Sequence, residues 1–139
     1  MFKNLLLATD GSEHSLRAAE RAIDLANLTE GASIELVYVV DGSMSKSDVL
    51  QYGDSDSASK KREEILSVFK DKIEGAGIPV KVSILHGNPA ETIINYTNRN
   101  DFDCLVVGSR GRSKVQTMIL GSVSHKVMKH VNIPVLMVK

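Results

Sequence analysis

Five short apolar runs punctuate the chain, Lys3 to Thr9, Ser33 to Val40, Val80 to Leu85, Asp103 to Gly108 and Ile133 to Val138, and they restrict its fold more than any other feature. Their Leu, Val and Ile residues are continuous instead of alternating with polar ones, as in strands covered on both faces of a parallel sheet. Between the runs the period becomes helical. Ser12 to Leu28 places Leu16, Ala19, Ile23 and Ala26 on one stripe, and Lys60 to Glu74 does the same with Ile65, Leu66, Phe69 and Ile73.

Local stop and start signals divide the rest. Gly75 and Gly77, followed by Pro79, end the second helix and admit the next strand. Asn88 before Pro89, with Glu91 three residues after the Asn, starts a third helix that runs to about Asn98, because Asn caps and Pro fits the first turn. A last helix begins near Gly121 or Ser122 and carries Val123, Val127 and Val131 inward before Pro134 opens the final strand. The predicted order is β-α-β-α-β-α-β-α-β. At 139 residues, 42% of them apolar, the chain has the length and material of a single domain, residues 1–139. Residues 41–59, rich in Ser and poor in apolar periodicity, read as a flexible loop, with a nucleotide lid as the alternative.

Alternating strands and helices in a chain of this size form an open α/β sheet with right-handed crossovers, and such sheets bind ligands beyond the carboxyl ends of their strands. Seventeen Lys and Arg offset seventeen Asp and Glu, so no global field selects nucleic acid or an anionic membrane. Trp is absent and only three Tyr and three Phe occur, which supplies few stacking platforms for single-stranded nucleic acid. No apolar run is long enough for a membrane span, and the lone Cys104 fits a reducing, cytoplasmic setting. Cys104 lies in an apolar strand without an activating base and reads as an inert buried thiol. His14, His86, His125 and His130 show no metal-site spacing.

The segment from Gly108 to Ser124 sits between a strand and a helix and carries Arg110, Arg112 and Lys114 with no Asp or Glu. Gly108, Gly111 and Gly121 remove Cβ atoms where amides would approach an anion, while Ser122 and Ser124 add hydroxyls at a helix amino end. Spacing alone leaves this open between a phosphate cradle and ordinary turn residues. It is neither a P-loop nor a Gly-x-Gly-x-x-Gly dinucleotide turn. Asp10, after an apolar strand and before a helix, accepts from ribose hydroxyls or caps that helix through Glu13.

Gly108-x2-Gly111-x9-Gly121-Ser122 resembles the nucleotide-binding pattern of the universal stress protein family. Ala8-Thr9-Asp10-Gly11-Ser12, Tyr38-Val39-Val40-Asp41, Gly87-Asn88-Pro89 and Val106-Val107-Gly108-Ser109 accompany it, so the resemblance spans nearly the whole chain. It implies an open, mainly parallel five-stranded sheet in order 3-2-1-4-5 with helices on both faces, the Rossmann-like fold of the adenine nucleotide alpha hydrolases. It further implies ATP, with Mg²⁺ or Mn²⁺, held between the ends of strands one and four. Carried over by position, Asp10 meets the adenosine, Ala8 and Thr9 line its pocket, and Val39 touches adenine. Gly108, Ser109, Arg110, Gly111 and Arg112, with Gly121, Ser122, Val123 and Ser124, form the phosphate grip. A homodimer through Ile133 to Val138 is also implied, and an apolar run at a sheet edge invites such association.

The functional expectation is an ATP-binding regulator or switch of a stress response, acting on an unknown signalling partner and bearing no catalytic residue. Two alternatives stay open. One is a slow ATPase or phosphotransferase, for which Asp10 and Asp41 are the metal-holding acids at the right sheet end although no base can be assigned. The other is a dimeric interaction module that holds no nucleotide.

Overall fold

A computed structural model describes residues 2–40, 55–109 and 122–139. Nine elements alternate as β1 (Asn4–Thr9), α1 (Glu13–Ala26), β2 (Ser33–Val40), α2 (Ser55–Gly75), β3 (Val80–His86), α3 (Pro89–Arg99), β4 (Cys104–Gly108), α4 (Ser122–His130) and β5 (Val135–Val138) among these residues. The strands form one sheet in the order β3-β2-β1-β4-β5, and every pairing is parallel. The expected order 3-2-1-4-5 and the helix-covered sheet are therefore what the chain adopts.

Alternation along each strand sorts the core into two layers. Leu5, Leu7, Ile34, Leu36, Cys104 and Val106 face one way and pack with Ala18, Ala22, Leu66 and Phe69 of α1 and α2. Leu6, Ala8, Val37, Val39, Leu105 and Val107 face the other way and meet Ile93 of α3 and Val127 of α4. Small residues let α1 lie close to the sheet, and its buried stripe is Ser15, Ala18, Ala19, Ala22 and Ala26. Leu16 and Ile23, expected on one stripe with Ala19 and Ala26, are only partly buried against the same layer.

Several boundaries differ from expectation. The second helix begins at Ser55 and not at Lys60, so residues 55–59 are helical and do not belong to the connecting loop; residues 41–54 lie outside the described residues. The last strand starts at Val135, because Pro134 and the two residues before it make the approach from α4. Residue 103 is spent below β4: the Asp103 carboxylate accepts the backbone N–H groups of Lys3 at 3.0 Å and Asn4 at 2.8 Å. Asn88 caps α3 as predicted, its side-chain oxygen accepting the Glu91 N–H at 3.1 Å with Pro89 in the first turn.

Candidate functional site

Strand order reverses at β1, whose neighbours β2 and β4 continue into elements on opposite sides, and a crevice at the carboxyl ends of β1 and β4 follows from that topology. Ala8 lies beside Val107 in register, and both point into the layer under α3 and α4. Val39 joins them there, only 5% exposed. The structure thus groups Ala8, Val39 and Val107 on one face, as a floor of small apolar side chains.

The turn after β1 is held by its own polar groups. Ser12, and not Asp10, caps α1, its Oγ accepting the Ser15 N–H at 3.3 Å. Asp10 instead accepts the Ser12 N–H at 2.9 Å, so the expected alternative of a direct cap by Asp10 gives way to a tight turn one step upstream. Gly11 between them has φ of +83°, a conformation that favours glycine over residues with a Cβ.

Thr9 is buried and turned toward α1. Its Oγ1 lies 2.7 Å from Ser15 Oγ and accepts the Gly11 N–H at 3.0 Å, while the Ser15 hydroxyl donates to the Ser12 carbonyl at 2.6 Å. Ser15 has a single proton, already given to that carbonyl, so the Thr9 hydroxyl donates to Ser15. Thr9 consequently shapes the turn from beneath.

On the β4 side, Gly108 ends the strand, and the Ser109 N–H donates to the Val138 carbonyl at 2.8 Å. Ser122 opens α4, Val123 is half-buried against the apolar layer, and Ser124 is buried with its hydroxyl donating to the Gly108 carbonyl at 2.8 Å. The amino end of α4 is thereby brought to the end of β4, where the helix field favours an anion. Arg110, Gly111, Arg112 and Gly121 of the expected phosphate grip, like Asp41, lie outside the described residues. Among the described residues no group of three or more His, Cys, Asp or Glu side chains is placed to hold a metal ion, and no helix is long and apolar enough to cross a membrane. Cys104 is buried in β4, and burial pushes its thiol pKa up, away from the reactive thiolate.

Sequence reasoning missed the polar cluster at the opposite end of the sheet. Glu35 on β2 accepts hydrogen bonds from Ser83 of β3 at 3.0 Å and from the Tyr96 hydroxyl of α3. Hydrogen bonding to Glu35, then burial, raise the Tyr96 pKa above its ordinary value. A cavity of about 350 Å³ opens beside Glu35 among Ser33, Pro79, Lys81, Asp101 and Phe102. A lone acid inside the apolar run Ser33 to Val40 was the available signal. The cavity sits at the amino ends of the strands and includes none of the expected nucleotide-site residues.

Compared with known families, residues 1–139 match the universal stress protein family. The universal stress protein MJ0531 of Methanocaldococcus jannaschii is 31% identical over 142 residues, covering 100% of this chain and 83% of that protein. The solved structure of the hypothetical protein MJ0577 superposes with a TM-score of 0.84 at 28% identity, over 100% of this chain and 96% of the other. A universal stress protein crystallised in complex with cAMP superposes with a TM-score of 0.74 at 25% identity, over 99% of this chain and 96% of the other.

Proposed function

The chain belongs to the universal stress protein family, and from that premise we propose that it is an ATP-binding member acting as a nucleotide-dependent switch in a stress response. The observation that carries this reading is the meeting of β1, β4 and the amino end of α4 at the point where strand order reverses, with Ser124 tying helix to strand. That geometry supplies outward amides and a favourable helix field to a polyphosphate. The relative crystallised with cAMP supports an adenine nucleotide as the occupant.

In this reading adenine lies over the apolar floor of Ala8 and Val39, and Asp10 accepts from the ribose hydroxyls. Gly108, Ser109, Arg110, Gly111 and Arg112, with Gly121, Ser122 and Val123, surround the phosphates. Mg²⁺ or Mn²⁺, hard ions that prefer oxygen ligands, travels with the phosphates and adds charge neutralisation. No side chain is assigned as a base that would orient an attacking water, so ATP is held and hydrolysed slowly if at all. The bound nucleotide biases the surface offered to a signalling partner in the cytoplasm. A homodimer through Ile133 to Val138 fits the placement of β5 at the sheet edge, where Leu136 is 37% exposed.

Mass spectrometry of freshly purified, denatured protein, paired with thermal unfolding in added ATP, tests the reading. Co-purified adenine nucleotide is expected, and ATP at a hundred times its dissociation constant adds about 2.7 kcal/mol of stability. Gly121→Val removes that gain by placing a side chain where the phosphate approaches. Absence of nucleotide together with an unmoved melting temperature supports a nucleotide-free interaction module instead. Fast turnover that Gly121→Val abolishes supports an ATPase.

A further inference from the structure

Resting on the nucleotide reading above, we propose that Ser124 is a positioning residue for the bound phosphates and not one of their ligands. Its hydroxyl latches the amino end of α4 to the carboxyl end of β4, and this latch sets the affinity for the phosphate half of the nucleotide. By its residue type alone Ser124 counts as a phosphate donor. The structure assigns its proton elsewhere.

A serine hydroxyl has one proton, and in Ser124 it goes to the Gly108 carbonyl at 2.8 Å. The residue is 8% exposed, and Val127, three positions along the same face of α4, is fully buried. Ser124 therefore belongs to the core-facing side of the helix and would have to give up its bond to reach a ligand above the helix end. The bond joins residues sixteen positions apart. The other end of that connection is also tied, by the Ser109 N–H to the Val138 carbonyl at 2.8 Å. With both ends held, the amides at the helix start are already placed before a ligand arrives, and the ordering cost of binding is lowered in advance. Releasing one tie restores that cost while leaving every group that touches the phosphates in the chain.

Ser124→Ala, Ser124→Val and Ser124→Thr separate the alternatives, because Val and Thr share a shape and only Thr keeps the hydroxyl. Calorimetric titration with ATP and with adenosine is combined with hydrogen exchange at the α4 amides of the ligand-free protein. We expect Ser124→Ala and Ser124→Val to bind ATP about tenfold more weakly, equivalent to about 1.4 kcal/mol, with adenosine affinity within about twofold of wild type. Their α4 amides exchange faster without ligand, and Ser124→Thr restores both properties. If Ser124→Ala does not fold, the Val and Thr pair alone gives the same comparison. Wild-type ATP affinity in a hydroxyl-free variant overturns the latch. So does a loss of ATP affinity with unchanged exchange in the ligand-free protein, which makes Ser124 a direct ligand. A wild type that binds neither compound overturns the nucleotide reading itself, and the affinity claim falls with it.

Discussion

At the carboxyl pole of the sheet, Thr9, Ser12, Ser15 and Ser124 direct hydroxyls onto backbone groups of the two strand-to-helix turns, whereas at the amino pole Glu35 and Asp103 present carboxylates to hydroxyls and strand-start amides. The difference follows from the parallel topology. Every described helix begins at the carboxyl pole, so the first-turn N–H groups, which have no acceptor within their own helix, gather there, and its carbonyl end lies at the amino pole. Donors in surplus at one end favour an anionic ligand; strand-start amides at the other are met by an acid of the chain itself. Asp103 shows this most directly, since one of its oxygens accepts two consecutive N–H groups at the start of β1. Polar groups at the amino pole thus close the fold, and those at the carboxyl pole prepare it for something else.

Removing the acid at the amino pole tests that division most strongly. Asp103→Ala leaves two strand-start N–H groups without their charged acceptor and costs about 2 kcal/mol of unfolding free energy, read by urea denaturation, while ATP affinity stays at the wild-type level. A fall in ATP affinity matching the fall in stability would dissolve the contrast. At the other pole, Asp10→Ala leaves the Ser12 N–H without its acceptor and costs about 1 kcal/mol, but here ATP binding also weakens, because the carboxylate proposed to accept from the ribose is gone. Unchanged ATP titration in a destabilised Asp10→Ala protein would detach Asp10 from the site.

The smallest effect comes from Tyr96→Phe, which loses the phenol bond to Glu35 and under about 1 kcal/mol at neutral pH, with nucleotide affinity unmoved. This variant also carries a pH signature. The Tyr96 pKa is raised in the folded chain, first by the hydrogen bond to Glu35, so the folded state keeps its proton where the unfolded state has begun to lose it. Its stabilisation is complete below the ordinary tyrosine value of 10.0 and is lost as pH rises through the higher folded value. Denaturation measured from neutrality to strongly alkaline pH should show wild type losing this increment and Tyr96→Phe lacking it throughout. Parallel curves would exclude the phenol.

Much of the architecture was legible because its signals are local. Continuous apolar runs marked β1, β2 and β4, which are covered on both faces, and the Asn88-Pro89 pair marked the start of α3. The weakest boundary was that of α2, whose first turn is written in Ser, Asp and Ala without an apolar stripe, so the helical period became readable only near Lys60. Of the residues expected at the site, Ala8, Asp10, Val39, Gly108 and Ser124 lie at the carboxyl pole, where motif and position put them. The uses of Thr9 and Ser124 were not, since a hydroxyl in a sequence does not say which acceptor its single proton reaches. Glu35 was passed over although it interrupts an apolar strand, because its partners Ser83 and Tyr96 lie 48 and 61 positions away.

What the sequence determined alone is the succession of strands and helices, the apolar faces they must bury, and the glycine- and serine-rich passage after the fourth strand, all of which depend on spacing within a few residues. Only the tertiary structure decided where that passage begins and ends in space, which hydroxyls serve the backbone, and which acids close the amino pole. Hydrogen-bond partners and register are properties of residues far apart in the chain, and a proton is committed only once folding has brought its acceptor within reach.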